Sequence, residues 1–225
     1  TNTSVTVNDP AETTYNVTVV ANNSNYGDVT PTSTTPMGVN NGGRITASPK
    51  TGYKFTNWTI QTGGGYFGES GTSTTSTMAD TKFRPTQGST VQANFDPQSY
   101  TITFDQQSGS GGTASATVTY KSNDYSVTTI SAPTRSGYIF AGYYTAANAG
   151  GVQIVDAKGA WQKGKSGYTD ASGNWIKAEN TTLYAAWSKT IYLKTGMWNA
   201  DDARFAVYTW ADGKTGKWLD MEEVD

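Results

Sequence analysis

One pattern limits the folds open to this chain more than any other, a unit that recurs at a fixed spacing. Tyr15-Asn16-Val17-Thr18-Val19 is echoed by Tyr100-Thr101-Ile102-Thr103-Phe104, an offset of 85 residues. The same offset relates Gly27-Asp28-Val29-Thr30 to Gly112-Thr113-Ala114-Ser115, Gly52-Tyr53-Lys54-Phe55 to Gly137-Tyr138-Ile139-Phe140, and Trp58 to Tyr143. Each copy closes on a short strand ending in an aromatic, Val91 to Phe95 in the first and Leu183 to Trp187 in the second, where the offset has grown to 92. Several matches in one register point to a unit built twice.

The repeated segments alternate apolar and polar residues with period two, the pattern of half-buried strands. In Gly-Tyr-x-Phe the glycine admits a turn with positive φ, and two rings two residues apart share one face. Tyr53 with Phe55, and Tyr138 with Phe140, are therefore expected to superimpose and to plug one end of a small core. Pro49 and Pro133 fix φ just before those turns and keep the preceding residue out of a helix. The seven extra residues of the second copy lie between Tyr143 and Leu183, where Gly150-Gly151 and the Gly/Lys-rich stretch 156–174 are expected to form surface loops.

Composition narrows the chemistry. Aromatics reach 12% although only 35% of the 225 residues are apolar, and the net charge is −2, which favours small ring-filled cores over disorder. The chain has no Cys and no His, so a disulfide framework, a thiolate metal site, a cysteine nucleophile and a histidine general base are all excluded. Ser/Thr triads lack their usual base, and no pair of carboxylates sits in a recognisable glycosidase motif. No apolar run approaches the ~20 residues that cross a bilayer, and no segment carries a cationic stripe for nucleic acid. The start, Thr1-Asn2-Thr3-Ser4, reads as an excised or processed fragment, and the Thr/Asn/Gly-rich strands suit an exported protein.

The organisation read from these features is a leader or linker over 1–14, a divergent repeat module over 15–98, a second repeat module over 99–189 and a partial C-terminal β module over 190–225. The link Asp96-Pro97-Gln98-Ser99 leaves little slack between the repeats.

The second copy resembles the Listeria-Bacteroides repeat, or internalin B-repeat, of bacterial surface proteins. The resemblance rests on Tyr100 to Phe104, on Ala132-Pro133-Thr134-Arg135-Ser136-Gly137-Tyr138-Ile139-Phe140-Ala141-Gly142-Tyr143-Tyr144, and on Thr182-Leu183-Tyr184-Ala185-Ala186-Trp187. Tyr143 stands where the family has Trp, and 145–180 is longer than a minimal unit. The first copy, with Ala47 to Trp58 and Gln92 to Phe95, is similar to a divergent version. The resemblance implies tandem β-grasp-like modules, a mainly β fold of β-rich α+β type, with an extracellular or cell-surface spacer, adhesin or partner-binding role. It implies no enzyme activity.

Residues 190–225 suggest three strands, Thr190 to Lys194, Ala203 to Trp210 and Lys217 to Met221, with a tight turn at Asp212-Gly213. A piece this short rarely supports its own core, so it either packs on the second repeat or, as favoured, begins a longer domain. Its pattern weakly resembles the opening strands of starch-binding-like β-sandwich modules. Trp198, Tyr208, Trp210 and Trp218 are candidate ligand-binding residues, a stacking platform for a sugar ring, unless they fill a small core. Trp161 and Trp175, in the insertion of the second repeat, are candidate partner-binding anchors, unless they cap that module's own core. Asp201-Asp202 with Asn199 offers oxygen ligands, but adjacent loop carboxylates are commonly solvated, and Asp170 to Asn174 lacks the later Glu of a calcium loop. No metal and no cofactor is expected. The expected function is a non-catalytic, monomeric spacer or adhesin segment meeting a protein or glycan at the cell surface; the alternative is a carbohydrate-binding surface protein that uses the C-terminal aromatics.

Overall fold

The computed structural model describes residues 11–69, 71–192, 206–209 and 216–221. The chain divides after Ser188 into two units, each described by itself. The first copy contributes β1 (Thr14–Ala21), β2 (Gly27–Thr30), β3 (Thr35–Gly38), β4 (Gly43–Pro49), β5 (Tyr53–Thr62), β6 (Gly65–Phe67), β7 (Thr75–Ser76), β8 (Asp80–Pro85) and β9 (Ser89–Pro97). The second contributes β10 (Ser99–Asp105), β11 (Ser115–Thr119), β12 (Ile139–Ala146), β13 (Gly150–Val155) and β14 (Thr181–Ser188). In the C-terminal unit β15 (Ala206–Thr209) pairs with β16 (Lys217–Asp220). No described residue is helical, so the fold is mainly β, and the helical part of the α+β expectation is not found among the described residues.

Alternation places the core. Along β10 the buried residues are Tyr100, Ile102 and Phe104 with exposed residues between them, and along β9 they are Ser89, Val91, Ala93 and Phe95. Each module is centred on a parallel pair, its opening strand beside its closing strand, and the Gly-Tyr-x-Phe strand then runs antiparallel to the closing strand. The sheets have the orders β3-β1-β9-β5-β7 and β11-β10-β14-β12-β13.

The register repeats as the sequence spacing demands. Val17 faces Ser89 and Val19 faces Val91; in the second module Ile102 faces Thr181 and Phe104 faces Leu183, so partners move by 85 on one strand and by 92 on the other. A β-bulge recurs too. Phe55 faces Phe95 and Asn57 faces Asn94, so Thr56 is the extra residue; Phe140 faces Trp187 and Gly142 faces Ala186, so Ala141 is. Without that extra residue Phe55 and Trp58, three apart, would point to opposite faces. With it both meet the core, and Trp58 and its counterpart Tyr143 are each fully buried.

The modules differ in what covers the sheet. In the first a second sheet, β2-β4-β8-β6, supplies Ile45, Phe67 and Phe83 to the shared core. In the second, irregular chain does so, delivering Tyr125, Ile130 and Trp175. The 156–174 stretch is also more than the surface loop its glycines suggested, because its Trp161 and Tyr168 pack against this core and its Thr169 is buried. The match of Gly27–Thr30 to Gly112–Ser115 also gives way, because β2 pairs with β4 in the covering sheet whereas β11 pairs with β10 in the central one.

The two Gly-Tyr turns diverge as well. Gly52 and Gly137 have φ of +85° and +74°, as such a turn requires. Tyr53 is 8% exposed, stacked on Tyr26 at 4.3 Å and met edge-on by Tyr120 of the second module at 5.5 Å. Tyr138 is 40% exposed, which corrects the expectation that both tyrosines plug a core. The position 85 residues after Tyr26 is Gly111, which has no ring to give. Gln98, the one residue between β9 and β10, donates its N–H to the Gly52 carbonyl at 2.8 Å and accepts from the Tyr120 N–H at 2.9 Å. The joint between the modules is thereby hydrogen-bonded and ring-packed.

These contacts set apart two substitutions that look alike in sequence. A Cβ on Gly52 would lie 2.3 Å from the Tyr120 ring, whereas one on Gly137 would meet nothing within 4 Å. Gly137→Ala is expected to cost only the left-handed backbone penalty, ~1–2 kcal/mol. Gly52→Ala should cost clearly more and loosen the joint. Similarly, Tyr53→Ala is expected to lose ~3–5 kcal/mol and Tyr138→Ala ~1 kcal/mol or less. Denaturant unfolding of the four variants checks both orderings, and equal losses within either pair would contradict this account of the joint.

Candidate functional site

The proposed sugar platform is partly described. Trp198 and Trp210 lie outside the described residues, as do Asn199, Asp201, Asp202 and the Asp212-Gly213 turn. Tyr208 and Trp218 are direct partners across β15 and β16, with ring centroids 5.1 Å apart and planes tilted by 53°. They are 42% and 70% exposed. Tyr208 lies over Gly216, where a Cβ would come within 2.3 Å of its hydroxyl oxygen, so a bare backbone is what admits the ring. Two neighbouring exposed aromatics on one hairpin face can stack on an apolar sugar face.

Trp161 and Trp175 sit elsewhere. Trp175 is fully buried, with Tyr168 edge-on at 5.9 Å and its backbone paired to Lys121 and Ser122, so it offers no face to a partner. Trp161 is half-buried, stacked on Tyr125 at 4.1 Å, and its indole N–H donates to the Val127 carbonyl at 2.8 Å. Both serve the second module's own core. Among the described residues the second module has no second sheet, and rings from the insertion join its core, whereas in the first module the covering sheet supplies Ile45 and Phe83.

Residues 15–99 match the family model of the divergent InlB B-repeat domain, and residues 100–160 match that of the Listeria-Bacteroides repeat domain. The chain carries two Listeria-Bacteroides-type repeats. Neither match reaches the C-terminal unit, and the starch-binding-like resemblance of 190–225 gains no support. No curated protein and no solved structure matches the chain. The Listeria-Bacteroides match stops at residue 160, before the closing strand β14, yet β14 lies beside β10 in the register that β9 keeps beside β1.

Sequence reasoning passed over one grouping in the second Listeria-Bacteroides-type repeat. Arg135, Tyr138 and Trp187 converge at the end of the module, the guanidinium carbon 4.0 Å from the Tyr138 ring centroid and 6.0 Å from that of Trp187. All three belong to the motifs that define the repeat, so they read as fold residues. The Asp170 loop is self-satisfied: its carboxylate accepts from the N–H groups of Ser172 and Asn174 and from the Asn174 amide, each at 2.9 Å. The Asn174 side chain is the leading reason its pKa is lowered. Among the described residues no group of three or more acidic side chains is arranged to hold a metal, and no helix is long and apolar enough to cross a membrane.

Two buried phenols titrate far from their ordinary range. Burial first, and then the Asp170 charge, pushes Tyr125 up to about 12, while burial and Asp105 push Tyr143 up to about 12. The Tyr125 hydroxyl donates to the Gly173 carbonyl at 3.0 Å, whereas the Tyr143 hydroxyl is buried with no protein partner. In the unfolded chain both ionise near ~10. Their share of stability is therefore complete below that pH and is lost as the pH rises towards about 12, by ~2–3 kcal/mol per group. Unfolding followed against pH should show this decline. Tyr143→Phe should remove part of it and, by deleting an unpaired buried hydroxyl, raise stability at neutral pH by ~1 kcal/mol; an unchanged alkaline profile in this variant would contradict the assignment.

Proposed function

We propose that this chain is a non-catalytic spacer segment of an extracellular bacterial surface protein, holding whatever lies beyond it away from the cell. Repeats of this type occur in bacterial surface proteins. The observation that carries the reading is the joint at Gln98. Two copies of one module succeed each other with a single residue between strands, and hydrogen bonds and the Tyr53–Tyr120 contact resist bending there. Stiff serial modules suit reach better than catalysis. The buried polar groups support the same reading, since they serve structure: the guanidinium of Arg84, 6% exposed as a residue, donates to the Asn40 carbonyl at 2.8 Å and to the Glu69 carboxylate at 2.9 Å.

A second reading, a carbohydrate-binding surface protein, is favoured by the exposed Tyr208–Trp218 pair. It requires that Trp218→Ala abolish a glycan signal given by the complete chain.

The spacer reading is tested by displaying the complete chain on a bacterial surface with an epitope at its N-terminal end. Deleting residues 15–98 should reduce antibody access to the epitope, and an unrelated rigid module of equal length should restore it. Access that only the native module restores would replace the spacer with a specific contact. Turnover of any glycoside, ester or peptide substrate by the purified chain would overturn the non-catalytic part.

A further inference from the structure

We propose that the open end of the second module binds an acidic sugar, with Arg135 taking the carboxylate and the Trp187 ring and adjacent hydroxyls taking the pyranose. This site lies outside the C-terminal aromatic pair and does not depend on the spacer reading.

The guanidinium comes first. The guanidinium carbon of Arg135 sits over the Tyr138 ring, 4.0 Å from its centroid, a cation–π contact that spends none of the N–H donors a carboxylate would take. Among the described residues it has no carboxylate partner, whereas Arg44 is paired with Asp80 and Arg84 with Glu69. A ring-seated but unpaired guanidinium is ordered before any ligand arrives, which lowers the entropy lost on binding.

The aromatic wall is equally fixed. The indole N–H of Trp187 donates to the Gln106 carbonyl at 3.1 Å, Phe140 meets the ring edge-on at 5.9 Å, and a Cβ on Gly109 would lie 2.4 Å from Trp187 Cζ2. The 106–109 turn is therefore shaped around the indole. It also holds two non-glycine residues in the left-handed region, Gln107 at φ 49° and Ser108 at φ 67°. Such residues carry strain and concentrate at ligand-binding sites.

Around these groups is an open hollow of about 660 Å³ with Ser108, Ser110 and Thr134 on its walls. Hydroxyl-bearing walls, a fixed aromatic and one cation match a sugar that carries one negative charge. A neutral sugar would leave the guanidinium unused. A phosphorylated ligand would bring about two charges to a single cation. A peptide would call for an edge strand or an apolar groove.

The complete chain is titrated calorimetrically with a tetragalacturonate, a hyaluronan tetrasaccharide and a sialylated trisaccharide, each beside its methyl ester, with the tryptophan indole resonances as a second readout. At least one acid is expected to bind, to shift the Trp187 indole signal and to lose affinity on esterification. Arg135→Ala and Arg135→Gln should each weaken binding by about tenfold or more, the loss of one charge-assisted contact, with Arg135→Lys recovering only part. Lys158→Ala, which removes an exposed charge elsewhere on the module, should leave binding unchanged, and matched unfolding curves identify which variants are folded; Gln keeps the stem if Ala does not fold. The proposal fails if none of the acids binds, if esters bind as tightly as acids, if folded Arg135 variants bind normally, if the Trp187 signal stays still, or if polyglutamate competes as well as the sugars. None of those outcomes bears on antibody access in the display experiment.

Discussion

Each repeat depends on one pairing, the opening strand lying parallel to the closing strand at the centre of the sheet. Parallel neighbours cannot be joined by a hairpin, so everything between them must leave the sheet and return as a crossover. Val17 and Val19 against Ser89 and Val91, and Ile102 and Phe104 against Thr181 and Leu183, fix the two ends of that crossover. The path between the ends is left open. The first module folds the intervening chain into a second sheet, the second packs it irregularly, and both reach a closed core because each puts large side chains over the same central strands.

That freedom explains what could and could not be read from the sequence. Strand alternation and the shift from 85 to 92 are local and register-based properties, and the pairings reproduce them residue by residue. The shared bulge at Thr56 and Ala141 was implicit in them, since Phe55 and Trp58 are both large, three apart and needed on one face. Trp161 and Trp175 illustrate the other case. A tryptophan in a Gly/Lys-rich stretch has the local signature of an exposed anchor, and only its packing against distant chain turns it into core. Tyr138 errs in the opposite direction, since its burial would have required a ring where Gly111 stands. Of the four aromatics read as a sugar platform, Trp198, Tyr208, Trp210 and Trp218, the pair that lies among the described residues, Tyr208 and Trp218, is exposed.

The polar groups conform to the cores. A chain without His or Cys has few side chains that ionise near neutral pH, and those most shifted in the second module, Tyr125 and Tyr143, are moved by burial to values outside the working range of acid–base chemistry. Asp170 is moved the other way by its own loop and stays ionised. In each case the shift results from packing or turn formation.

One motif thus carries two physical uses. At Gly52-Tyr53 the missing Cβ lets Tyr120 approach, and the tyrosine becomes the packing element of a joint. At Gly137-Tyr138 no described residue occupies the space above the glycine, the tyrosine is 40% exposed, and Arg135 lies over its ring. The difference between joint and hollow therefore comes from the surroundings of the turn rather than from the turn itself. Lys50, two residues before Gly52 as Arg135 is before Gly137, differs in the same way. The Lys50 ammonium is drawn off to the Ser24 carbonyl at 2.7 Å and to Asp28 at 3.1 Å, which leaves Tyr53 to the rings.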